Sequence, residues 1–183
     1  MGFWIFVGLI VLVAGYAIRL YNRLVALRNA SENAWSDVDV QLKRRWDLIP
    51  NLVETVKGYA SHEQGTFSQV TELRTRAMGA ETPGDKAAAE GQLTRALKSL
   101  FAVAEAYPDL KANQNFLSLQ GDLNGIEEAI QNARRYYNAV VRDLNTTCET
   151  FPSNLVANQF GFSKKDYFEL DDEEERTAPA VSF

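Results

Sequence analysis

Two side chains in this sequence are candidates for chemistry, and each occurs once: His62 and Cys148. Single His and Cys residues leave no disulfide framework and no multi-Cys/His zinc site to build. A di-iron bundle places a His three residues after a Glu, because both side chains then point inward together. No Glu stands three residues before His62, and the sequence has no Gly-rich phosphate loop or nucleophile elbow. Ser61-His62-Glu63 has the form of a helical phosphate acceptor, a solvent-facing imidazole with an acidic neighbour, but no nucleotide-binding kinase domain accompanies it. Cys148 falls on an apolar stripe, which fits a small buried hydrophobe better than a reactive thiol. The expectation is a protein that is not an enzyme, with no cofactor and no metal.

The remaining chemistry is charge. Nineteen basic against twenty-four acidic residues give a net charge of −5, which excludes a chain-wide basic nucleic-acid surface. Lys43-Arg44-Arg45 is the densest basic cluster, and it lacks the aromatic interleaving of a nucleic-acid site. It reads as a solvated helix face, with Asp39 and Asp47 spaced to pair with Lys43 and Arg44. On a straight first helix the cluster stands ~35 Å from a membrane surface at ~1.5 Å per residue, a distance suited to a partner protein or sister subunit.

The elements that position these residues begin with an apolar run. No charged side chain occurs from Met1 to Ile18. Phe3, Trp4, Ile5, Phe6, Leu9, Ile10, Leu12 and Tyr16 make this stretch apolar on every helical face, and extension to Leu20 reaches the low end of the roughly 17–25 residues that a membrane span needs. A cleaved signal peptide fits less well, because no basic residue precedes the run and Ala14-Gly15-Tyr16-Ala17 is a poor small-x-small site. Residues 1–20 are therefore expected to be a retained single-pass anchor in the inner cell membrane, with the bilayer as one partner. Arg19, Arg23 and Arg28 follow the span directly, which by the positive-inside rule puts the N-terminus outside and the rest in the cytoplasm.

Beyond the anchor, Leu24, Leu27, Trp35, Val38, Leu42 and Ile49 recur at helical spacing. They are continued by Leu52, Val53, Val56, Tyr59, Phe67, Val70 and Leu73. Pro50 interrupts that series as either a first-turn proline or a kink in one long helix. Gly79–Gly84 is a clear break. A stripe from Leu93 to Ala104 ends at Tyr107-Pro108, and a last one runs from Phe116 through Leu123, Ile126, Ile130, Tyr137, Val140 and Leu144 to Cys148. Gly121 and Gly125 weaken this last helix and leave room for a close neighbour. Strand signals are nearly absent, so residues 21–151 are expected to form an all-α, antiparallel up-and-down bundle of long helices. Its lateral apolar residues, such as Val40 beside Val38, suit self-association into a homo-oligomer.

Residues 152–183 form an irregular tail with seven acids against three bases. Aromatics at Phe160, Phe162, Tyr167, Phe168 and Phe183 make it unlike a disordered spacer. Tyr167 and Phe168 read as docking points, on the chain itself or on a neighbour. The terminal Val181-Ser182-Phe183 has the apolar-x-apolar form captured by strand-adding peptide-binding domains.

Several long stretches together resemble the LemA family of bacterial membrane proteins. They are Tyr21–Val25, Ala34–Arg45, Asp47–Ala60, Ala133–Asn138, Phe151–Asn154, Tyr167–Glu169 and Val181–Phe183. Trp46 departs from the pattern, where a polar residue or His is expected. The resemblance implies a short N-terminal anchor followed by an antiparallel four-helix bundle, and no catalytic residues. It further implies cell-envelope functions, sometimes alongside HtpX-type membrane zinc proteases, and likeness to proteins of the magnetosome membrane. A non-enzymatic scaffold that self-associates and engages a membrane protease or other envelope protein, or organises membrane, is the expected function; the alternatives are a phosphotransfer bundle using His62 and a membrane-remodelling protein.

Overall fold

A computed structural model describes residues 1–169. It is all-helical among the described residues: α1 (Gly2–Lys57), α2 (Gln64–Met78), α3 (Pro83–Glu105), α4 (Pro108–Lys111), α5 (Gln114–Glu149) and α6 (Ser153–Gln159). Helix α1 runs for 56 residues and takes Pro50 into its interior. Proline has no N–H to donate, so the carbonyl four residues earlier, that of Trp46, loses its intrahelical partner. Arg74 of α2 supplies the replacement, with Nε donating to the Trp46 carbonyl at 2.6 Å. This bond explains how the helix persists through a residue that ordinarily ends one.

Of the two roles left open for Pro50, a first-turn proline or a residue within one long helix, the structure shows the second, and the connection to α2 falls at residues 58–63. Gly58 opens that connection, and the Ala60 amide donates to the Val56 carbonyl at 2.9 Å as the helix ends. The 79–84 break falls where expected. Thr82 caps α3 by accepting from the Asp85 amide at 3.1 Å, and Pro83 occupies the first turn, where a missing N–H costs nothing. Asn113 does the same for α5, its Oδ1 accepting from the Phe116 amide at 3.1 Å. The tail is less irregular than its composition suggests, because α6 follows Phe151-Pro152.

The chain forms two compact units. The first comprises Met1–Val38 and Asn132–Tyr167. Leu24, Leu144, Cys148 and Ala157 make a buried cluster there, with Leu27, Val156 and Phe162 against it. Trp35 packs on Tyr137 with ring centroids 5.2 Å apart. The segment after α6 lies on this unit through main-chain bonds. Asn145 receives the Lys165 amide on Oδ1 and donates Nδ2 to the Lys165 carbonyl, both at 2.9 Å. The Tyr137 hydroxyl donates to the Asp166 carbonyl at 2.9 Å. Lys164 and Lys165 reach Glu149 and Glu32 at 2.7 and 3.4 Å. Phe160 and Phe162 both pack edge-on against Tyr21. As far as Asp166, the tail makes these contacts with α1 and α5 of its own unit.

The second unit comprises Asp39–Gln131 with Phe168 and Glu169 of the described residues. Its buried residues come from α1 (Leu42, Ile49, Leu52, Val56), α2 (Phe67, Val70), α3 (Leu93, Leu97, Leu100) and α5 (Phe116, Leu123, Ile126, Ile130). These residues lie on the stripes that the sequence spacing marked, whereas Trp46 and Leu110, also buried in this unit, are not among the marked residues. In the first unit the α5 stripe passes through Val141, which is fully buried, rather than Val140.

The double grip of Asn145 generates a test. Asn145→Ala removes both bonds to the Lys165 peptide and is expected to cost about 1–3 kcal/mol. Chemical denaturation measures the loss, and hydrogen exchange should show the Lys165 amide losing protection before the amides of α5. An unchanged exchange rate at Lys165 would count against the grip.

Candidate functional site

The most concentrated polar chemistry lies inside the second unit, on one turn of α1 facing α3. Arg45 is 2% exposed. Its Nη1 donates to Glu90 Oε2 at 3.0 Å, and its Nη2 donates to Thr94 Oγ1 at 2.8 Å. A second carboxylate, Glu127 of α5, stands 3.6 Å from the same guanidinium. The indole N–H of Trp46 donates to the other oxygen of Glu90 at 2.6 Å. Beside them Lys86 Nζ pairs with Asp39 at 2.7 Å and lies 5.5 Å from the Trp46 ring centroid. Glu90, 1% exposed, therefore holds two adjacent residues of α1 with its two oxygens.

The electrostatics of this arrangement are in tension. Burial pushes the Glu90 carboxyl above its ordinary range, while Arg45, the Trp46 indole and Lys86 pull it down and Glu127 adds to the rise. With burial dominant, the folded chain takes up this proton at a higher pH than the unfolded chain does. The stabilisation associated with it is complete below the unfolded carboxylate range and is lost as pH rises through the raised value. Chemically, the cluster ties α1, α3 and α5 of this unit together. Every polar atom of Glu90 is committed to a neighbour within the unit.

The structure separates the residues of the basic cluster. Lys43 and Arg44 are exposed, as a solvated face requires, whereas Arg45 is not part of that face. The expected partners also differ: Asp39 pairs with Lys86, and Arg44 donates to Gln41 at 3.0 Å. Tyr167 is 37% exposed and Phe168 is fully buried; Val181 and Phe183 lie outside the described residues. His62 is exposed but sits in the turn between α1 and α2, not on a helix, which removes the helical setting of a phosphate acceptor. Cys148 is buried, and that burial, with Glu149 adding to it, pushes its thiol pKa up, away from reactivity. No group of three or more His, Cys, Asp or Glu residues suited to a metal occurs among the described residues.

Sequence reasoning missed Glu90 and Arg74. A signal for Glu90 was present: it precedes Leu93 by three residues and Leu97 by seven, on the buried phase of α3, where an acid calls for a buried cation. Arg74 had none, because its role depends on how α2 folds back on α1.

An open groove of about 680 Å³ is lined by Arg44, Asp47, Leu48, Gly121, Asp122, Gly125 and Ile126. A Cβ placed on Gly121 or Gly125 would meet nothing within 4 Å, so the close neighbour expected at these glycines is not present among the described residues. At the N-terminus, the anchor residues Phe3, Trp4, Ile5, Phe6, Leu9, Ile10, Leu12 and Tyr16 are all exposed. An 18-residue stretch of α1 is long and apolar enough to cross a membrane, and none of it is buried.

These features define an all-helical protein with an N-terminal apolar helix of membrane-crossing length and a buried ionic tie between its long helices. The LemA family model matches residues 34–183, and the chain belongs to the LemA family. Among its relatives, magnetosome protein MamQ 2 of Paramagnetospirillum magneticum is 26% identical over 175 residues, covering 81% of this chain and 64% of the relative. Protein LemA of Metamycoplasma hominis is 28% identical over 141 residues, covering 75% and 64%. Magnetosome protein MamQ of Magnetospirillum gryphiswaldense is 24% identical over 174 residues, covering 81% and 64%. The chain thus spans less than two thirds of the length of these curated relatives.

Two predictions follow from the buried pair and the groove. Arg45→Met and Glu90→Gln, taken singly, each strand a buried partner and are expected to cost roughly 3–5 kcal/mol. The double variant keeps an acceptor for Trp46 and should cost clearly less than the sum, as a double-mutant cycle in denaturant would measure. Glu90→Gln should also flatten the gain in stability that the native chain shows as pH falls towards the carboxylate range. Separately, Gly121→Ala and Gly125→Ala are each expected to stabilise α5 by roughly 0.5–1 kcal/mol, read as a rise in Tm. A loss of stability at either glycine would mean that something covers the groove.

Proposed function

We propose that this chain is a single-pass, membrane-anchored, non-enzymatic scaffold that self-associates and engages envelope partners. The observation that carries the proposal is that none of the apolar start of α1 is buried, although it is continuous with a helix whose apolar face is buried from Leu24 onwards. An apolar helix this long, with no protein around it, finds its natural solvent in hydrocarbon. Residues 3–18 span the inner membrane, with Arg19, Arg23 and Arg28 holding their end in the cytoplasm. Helices α1, α2, α3 and α5 form the antiparallel four-helix bundle of the cytoplasmic part. Lys43 and Arg44, exposed on α1, and the partly exposed Tyr167 of the tail are its partner-facing groups. The magnetosome names of several relatives support a role in organising membrane, as the family resemblance suggested.

The anchor and its orientation are tested on the full chain in cells. The protein should stay with membranes through alkaline carbonate extraction. Ile10→Lys, which adds roughly 2.5–3.5 kcal/mol to insertion, should release a large fraction of it. A cysteine placed at the exposed Lys164 in a Cys148→Ala background should react with an impermeant maleimide only after the membrane is opened. Labelling in intact cells would reverse the orientation. Particle imaging in mild detergent tests self-association, and a homogeneous monomer at all concentrations would remove that part of the proposal.

A further inference from the structure

The first unit has a second exposed apolar surface, at the end where the apolar segment leaves it. Leu24 of α1 shares a buried cluster with Leu144 and Cys148, so α5 reaches its last residues at the level of Leu24. Phe151 and α6 follow at that end. The inner side of α6, Ser153 and Ala157, is buried, whereas Phe151, Leu155 and Phe160 are 75%, 60% and 61% exposed. Phe160 packs on Tyr21 with ring centroids 4.9 Å apart. Tyr21 lies three residues beyond Ile18, the last residue of the uncharged run, which is ~4.5 Å along a helix axis. The interfacial layer on each side of a bilayer's hydrocarbon core is roughly 5–7 Å deep, so this aromatic pair falls within it whenever residues 3–18 span. Tyrosine beside a span favours that layer, and Arg19 and Arg23, both exposed, suit anionic headgroups there.

We infer that Phe151, Leu155 and Phe160 form a shallow lipid-binding edge that rests the first unit on the bilayer surface beside the anchor. The occupant is the headgroup and upper acyl region of an anionic phospholipid membrane. Two observations favour lipid: Phe160 of the edge packs on Tyr21, which directly follows the apolar segment, and the exposed Arg19 and Arg23 stand on either side of Tyr21 in α1. The inference rests on the anchor reading above. It goes further in giving the unit a second membrane contact, which restricts its tilt and rotation about the anchor.

The test uses the full-length chain with Cys148→Ala, reconstituted into phosphatidylcholine vesicles containing phosphatidylglycerol. Nitroxide labels are placed one at a time by Ile10→Cys, Leu155→Cys and Tyr136→Cys, the last an exposed aromatic of α5 in the same unit, more than three turns from its end. Collision with oxygen and with a water-soluble nickel chelate reports depth. The expected result is a label at 10 deep in the hydrocarbon, a label at 155 shallow but shielded from nickel, and a label at 136 in water. A label at 155 as open to nickel as that at 136, with the label at 10 still deep, overturns the lipid edge and leaves the anchor standing. Labels at 10 and 155 both in water overturn the two readings together. A label at 155 shielded from both reagents and broadened by a second spin assigns the patch to another copy of the chain and likewise overturns it.

Discussion

A proline at residue 50 leaves the carbonyl of residue 46 without a helical partner, and much of the second unit depends on how that deficit is met. Arg74 supplies a donor from α2, so the weak point of α1 becomes the place where α2 is fastened. The residue whose carbonyl is held in this way is Trp46, and its indole is then available to Glu90 on α3. Arg45, its neighbour, takes the other Glu90 oxygen. One missing N–H thus coincides with a tie joining three elements through two consecutive residues of α1. Such ties are weak evidence of stability for their own sake, since burying a carboxylate and a guanidinium costs several kcal/mol per ion. Their geometry joins α1, α3 and α5 through directional contacts that a core of Leu and Val alone does not supply.

That account also explains the departure at Trp46. A residue with a donor on a large apolar body fills space against Lys86 and still satisfies a buried carboxylate. A smaller polar residue at this position would satisfy Glu90 with less packing. The local change therefore falls inside the unit, on the ionic tie, and leaves the exposed face of Lys43 and Arg44 as it was.

Much of the fold was legible in the sequence because it rests on periodicity. The stripes at Leu42–Val56, Leu93–Leu100 and Leu123–Leu144 are buried largely as spaced, with Val141 in place of Val140, and the 79–84 turn announces itself through Gly, Thr and Pro. Membership of the LemA family was legible from the long matching stretches. Pro50 stayed open between a helix start and an interior position, because local chemistry favours a break there while a residue from another helix meets the deficit. Gly58, a milder signal, marked the true end. Arg45 misled for the same reason: next to Lys43 and Arg44 it reads as surface, and only its position one residue before the apolar-phase Trp46 hints otherwise. Helix α6 was hidden within a tail whose overall composition is acidic and turn-rich. In each case the missing information was tertiary, a partner distant in sequence that reverses a local preference.

The hold of Asn145 on Lys165 has a consequence for how this chain can change. The carboxamide reads a peptide group, accepting from its N–H and donating to its C=O, as a neighbouring strand would. Nothing in that exchange depends on the side chain at 165. The extended segment can therefore exchange residues at this position, apart from proline, and remain seated. Position 145 has no such freedom, because few side chains present a donor and an acceptor at that spacing. Substitutions in the segment can retune its outward face while the Asn145 amide and the Tyr137 hydroxyl, both bonded to its main chain, keep its course over the unit unchanged.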